Sequence, residues 1–170
     1  MHVPLLLLTL ASVASQPRHC PVSAATALPE LIGTWQIEMT GGLDRPNPTS
    51  ASATATIVTS LDGCVLQEQV VGRDDSAPYE ALVLWAVNGP DDGIQRVFVH
   101  SQHGRIGLYQ GPRRGDTIVL RQLDTRPEGV SVENRVEIRD SDHFEILSQI
   151  STNDGASWTA LSRWRYERSK

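Results

Sequence analysis

The sequence predicts an all-β protein, an up-and-down antiparallel meander of about ten strands closed into a barrel. Three observations carry that expectation. Turn-forming residues recur from Leu31 onward, the segments between them are β-branched and aromatic with polar–apolar alternation, and nearly every gap is short. No stretch keeps a helical apolar period long enough to compete.

The first strand, 31–40, carries Gly33-Thr34-Trp35 and puts Trp35, Ile37 and Met39 on one face. A single long gap (41–50, GGLDRPNPTS) precedes the strand 51–61, which ends at Asp62-Gly63. In 64–72, alternation turns Leu66 and Glu68 inward. In 79–88 the more apolar set is Tyr79, Ala81, Val83, Trp85 and Val87, and Asn88-Gly89-Pro90 stops the strand. The strand 94–101 presents Phe98 and His100, and Gln102-His103-Gly104 turns the chain into 104–111. Pro112-Arg113-Arg114-Gly115 leads to 116–123, and Arg126-Pro127-Glu128-Gly129 to 129–139. Asp140-Ser141-Asp142 leads to 143–151, and Asn153-Asp154-Gly155 to 157–168. Glycine supplies the positive φ these turns need, Asn and Asp tolerate it, and Pro fixes the first turn residue. Short gaps join sequential neighbours, whereas a Greek-key sandwich needs a long crossover. Such a meander leaves two exposed edges unless its first strand pairs with its last, so closure is the stable solution.

Ahead of the strands, Val3 to Ala14 (VPLLLLTLASVA) reads as the apolar core of an export signal, followed by small residues. Cleavage after Ala14 or Ser15 fits best, and a cut after Ala24 also fits. The organisation expected is a signal peptide at 1–15, a mature N-terminal segment at 16–30 and a barrel at 31–170. Residence outside the cytoplasm, periplasmic or secreted, follows. The two cysteines, Cys20 and Cys64, allow one intrachain pairing, and an oxidising compartment favours a disulfide between them. Lipidation of Cys20 is the competing idea, but Pro17-Arg18-His19 is unlike a lipoprotein signal.

Twenty acidic residues against 15 basic ones give a net charge of −5, which argues against nucleic acid as a partner. No apolar run approaches the roughly 18–20 residues of a transmembrane anchor. No motif points to a cofactor, and nothing reads out the oligomeric state.

Leu-Ile-Gly-Thr-Trp (31–35), Asp-Gly-Cys-Val-Leu-Gln-Glu (62–68), Ser-Thr-Asn-Asp-Gly-Ala-Ser-Trp (151–158) and the closing Trp-Arg-Tyr-Glu-Arg (164–168) resemble a family of uncharacterised exported bacterial proteins. The resemblance implies a lipocalin-like (calycin) barrel, with one Cys just after the signal and another in a G-C-x-L-x-E strand. Cys20 and Cys64, with Leu66 and Glu68, match that arrangement. In lipocalin-like barrels the Trp of G-x-W closes one end under a basic residue of the last strand, where this chain offers Arg165 and Arg168. The chain departs from the family at Val70 and Ser148, where Trp is usual. The family brings no activity and no catalytic residues.

Three functions stay open. A binding or sensing barrel would hold a small apolar or amphipathic ligand with a polar head, and its pocket candidates are Trp35, Glu68, Trp85, Phe98, His100 and Arg135. Arg135 is the expected buried cation, placed to pair with Glu68 or with an anionic ligand. An isomerase- or cyclase-type barrel enzyme would use Glu68 and His100 as an acid–base pair. A barrel filled by its own side chains would serve a structural or interaction role. No nucleophile elbow is found. The histidines lack convergent metal-ligand spacing, so no metal site is expected. Arg114-Gly115-Asp116 is explained by a hairpin turn.

Overall fold

The computed structural model describes residues 20–73, 78–89, 93–101, 104, 106–123 and 127–170. The segment read as an export signal and the turn residue His103 lie outside them. The chain forms strands β1 (Gly33–Gly41), β2 (Thr49–Ser60), β3 (Val65–Arg73), β4 (Pro78–Val87), β5 (Ile94–His100), β6 (Ile106–Gly111), β7 (Arg113–Arg114), β8 (Thr117–Gln122), β9 (Ser131–Ile138), β10 (His143–Ser151) and β11 (Thr159–Arg168). All pairings are antiparallel between chain neighbours, and β1 pairs with β11, with Trp35 opposite Arg168 and Met39 opposite Trp164. The two-residue β7 sits in the connection between β6 and β8, which also pair directly through Tyr109–Gln122 and Gln110–Arg121. The sheet is therefore a closed meander of ten long strands, the expected fold, and it has no free edge among them.

Alternation sets the core. On β4, Tyr79, Ala81, Val83 and Trp85 are buried while Pro78, Glu80 and Leu82 are exposed. On β1, Trp35, Ile37 and Met39 are buried, as their parity requires. One difference lies at the start. The sequence extends a strand back to Leu31, but Pro29–Leu31 is a 3₁₀ turn, because Pro at its first position is preset for a helical turn. A four-residue helix, α1 (Ala24–Ala27), precedes it.

This N-terminal segment stoppers one end of the barrel. Ala24, Leu28 and Leu31 are completely buried, and Ser23 Oγ donates to the Gly63 carbonyl at 2.8 Å. Arg113 reaches across to the Ala27 carbonyl and pairs with Glu30. Cys20 and Cys64 are disulfide-bonded at a separation of 44 residues, which binds the segment to the start of β3. Closing a loop of that span contributes about 4 kcal/mol in the chain-entropy account.

Next to the stopper, Trp35 donates from Nε1 to the Leu31 carbonyl at 2.9 Å. The Arg168 guanidinium lies 4.2 Å from the Trp35 ring centre. Its nitrogens donate to the carbonyls of Glu30, Ile32 and Ser141 at 2.7–2.9 Å. Of the two arginines the resemblance offered, Arg168 is the one that caps Trp35. Arg165 faces outward to Glu38 and Glu145.

Candidate functional site

The barrel interior is polar at its centre. Glu68 on β3 is completely buried, and both its carboxylate oxygens are engaged. Trp85 on β4 donates from Nε1 to Oε2 at 2.9 Å, and the Tyr166 hydroxyl on β11 donates to Oε1 at 2.8 Å. Tyr166 stacks on Phe144, and both rings meet Trp35 edge-on, so the three aromatics pack together in this half of the interior. Burial, followed by the negative charge of Glu68, raises the Tyr166 phenol well above its ordinary range. Tyr79 is pushed up in the same way by burial, with Arg96 opposing and Glu68 adding.

The buried cation is Arg96 on β5, only 4% exposed. Its guanidinium carbon lies 5.0 Å from the ring centres of both Trp85 and Phe98. Those contacts use the electron-rich ring faces to hold a charge taken out of water. Arg135, expected in this role, is corrected to the outer surface. Its side chain is 44% exposed and pairs with Glu137 at 2.8 Å. The reason is parity: on β9, Asn134 and Val136 are buried, and Arg135 falls between them on the opposite face.

Toward the end of the barrel opposite the stopper, the interior opens into a cavity of about 120 Å³. Arg96, Phe98 and Tyr109 form one wall. Asn134, Ser148 and Ser162, in a single register row across β9, β10 and β11, form the other with Ile146 and Trp164. Phe98 and Trp164 face each other edge-on at 5.8 Å. Ser148 Oγ donates to Asn134 Oδ1 at 2.7 Å. Next to this row the β10–β11 register shifts between Ser148 and Gln149, a bulge at the cavity rim. The cavity exists because residues in this row are small.

Of the residues nominated from the sequence, Phe98 lines the cavity. Trp85 lies behind the Arg96 guanidinium, and Glu68 behind Trp85, both in the packed interior. Trp35 closes the far end. His100 packs its ring against Tyr79 at 5.8 Å and Phe98 at 5.5 Å. Glu68 shares its register row with Val83 and Phe98, while His100 lies in the next inward row, with Ala81 and Val70. Sequence reasoning passed over Arg96. Its shared parity with Phe98 and His100 was the signal that marks it as inward.

The sequence matches no family model and no curated protein. Among solved structures, the fold is similar to Rv2717c from M. tuberculosis, with a TM-score of 0.60 and 18% identity over 86% of this chain and 98% of that one. It is also similar to the S-type phycobiliprotein lyase CPES from Guillardia theta, with a TM-score of 0.54 and 16% identity over 88% of this chain and 94% of that one. At these identities the likeness is one of fold, a closed antiparallel β-meander barrel.

Proposed function

We propose that this protein is an exported barrel that binds a small molecule, apolar with a polar head, in the cavity lined by Arg96, Phe98 and Trp164. The observation that carries the reading is the cavity itself. It holds about 120 Å³, with two aromatic side chains and a buried guanidinium in its lining. A space of that order accepts a single small ring or a short chain. Apolar walls with a few convergent polar groups are the usual make-up of a ligand site. The resemblance in fold to a phycobiliprotein lyase is compatible with a barrel that handles small molecules. Export is supported by the apolar leader at Val3 to Ala14 and by the Cys20–Cys64 disulfide, which persists in an oxidising compartment.

Native mass spectrometry of the mature protein from its own host tests the reading. The expected result is a small-molecule mass increment that is lost on unfolding, on a chain beginning after Ala14 or Ser15, which keeps Cys20. An empty protein that also fails to take up small-ring or short-chain probes would make this a filled barrel.

A further inference from the structure

We infer that the ligand presents a carboxylate, or an oxyanion of like geometry, to Arg96; this rests on the cavity being a ligand site. Arg96 is almost fully buried, yet its Nε is closed to solvent and has no hydrogen-bond partner among the described residues. A buried, unpaired charged donor is costly, so its persistence at a cavity wall calls for a partner outside the chain. Glu68, the buried acid on the inner face, is not that partner by hydrogen bonding. Its two oxygens accept from Trp85 and Tyr166.

The contacts that hold Arg96 leave its donors free to act. Trp85 and Phe98 attract the guanidinium through their ring faces, and that attraction uses none of its N–H groups. A guanidinium offers paired, coplanar N–H donors that match the two oxygens of a carboxylate. Across the cavity, Asn134 accepts from Ser148 through Oδ1, so its amide N–H groups remain as further donors. The apolar remainder of the ligand would lie against Phe98, Ile146 and Trp164. The volume restricts it to one ring or a short aliphatic chain. The class is therefore a small monocarboxylate, aromatic or aliphatic.

The test is calorimetric titration of the full mature protein with two matched pairs, benzoate against benzamide and butanoate against butanamide. Each pair differs mainly in charge. In the wild type, at least one carboxylate should bind tenfold or more tightly than its amide. That preference should vanish in Arg96→Met, with the amide's affinity retained. Should the variant fail to fold, the wild-type pairs decide alone. An amide that binds as tightly as its acid would overturn the oxyanion assignment and leave the cavity as a neutral site. Binding of none of the four, with an empty native mass spectrum, would remove the site reading and this inference together.

Discussion

The indole N–H of Trp85 donates to Glu68 Oε2 at 2.9 Å with both side chains completely out of solvent. A carboxylate at that depth survives only because every lone-pair direction that matters finds a donor or a cation. Trp85 and Tyr166 supply the donors. Arg96, stacked on the other side of the Trp85 ring, supplies the positive charge. The fold is thus built around a polar centre whose members depend on one another.

Glu68→Gln tests that dependence with almost no change in volume. The amide turns one N–H₂ toward a donor that had faced an oxygen, and Arg96 loses its internal counter-charge. The expected cost is about 2 kcal/mol, or roughly 4–8 °C in Tm. Trp85→Phe should cost a similar amount by leaving Oε2 without its donor, and Trp85→Ala about 3–5 kcal/mol by opening a cavity. Thermal unfolding followed by circular dichroism measures all three. An unchanged Tm in Glu68→Gln would mean that the centre is solvated and the hydrogen bonds contribute nothing net.

The closed end makes a separate prediction. Gly33 has φ +146°, and a Cβ built there would fall on Nη1 of Arg168, the atom that donates to Ile32. Gly33→Ala should therefore cost about 2–4 kcal/mol, from backbone strain plus displacement of the guanidinium. In an Arg168→Ala background the displacement is absent, so Gly33→Ala should be cheaper there by about 1 kcal/mol or more. Denaturant unfolding of the four-member cycle reads that coupling. Strict additivity would separate the glycine from the arginine.

The closed end was legible only through the resemblance to lipocalin-like barrels, which left Arg165 and Arg168 both open; the pairing of β1 with β11 sets Arg168 over Trp35. The turns were legible directly, since each is written in a few adjacent residues. The stopper was not, because Ala24, Leu28 and Leu31 are apolar residues in a short segment with no period of its own. The cavity was the least legible part. Asn134, Ser148 and Ser162 come from three strands and look like solvent-facing polar residues until the register lines them up. Arg135 misled because charge was weighed above the alternation of its own strand, while Arg96 obeyed the alternation and was passed over.

Alkaline pH should unfold the protein through its tyrosines. The folded-state pKa values of Tyr79 and Tyr166 are both raised, by burial first and further by Glu68, in both cases against the opposing effect of Arg96. Below about pH 10 both phenols are neutral whether the chain is folded or not, and their contribution is intact. Above that, the unfolded chain ionises while the folded one holds its protons, so stability falls by up to about 1.4 kcal/mol per pH unit for each tyrosine. Their tyrosinate absorbance should rise only together with loss of the β-sheet dichroism. Tyr79→Phe should flatten the decline above pH 10. Early ionisation of both phenols in a folded protein would show the interior open to hydroxide.

Filling the cavity separates a hollow barrel from a packed one without knowledge of the ligand. Ser162 lines the cavity, pairs in register with Ser148 and Gly41, and its side chain carries no hydrogen bond in the network that holds Asn134. Ser162→Leu adds three carbon atoms where about 120 Å³ stands open. If the space is real, the new side chain buries itself in it, and Tm should hold or rise slightly, because apolar burial contributes roughly 0.8 kcal/mol per CH₂. Uptake of a small ring or short-chain carboxylate should fall at least tenfold in the same variant. If the interior is already full, the added carbons can be accommodated only by distortion, and overpacking of that kind costs about 1–3 kcal/mol. A Tm several degrees below wild type, with no uptake to lose, would therefore identify a filled barrel. A preserved Tm with lost uptake would fix the row of Asn134, Ser148 and Ser162 as the wall of the binding site.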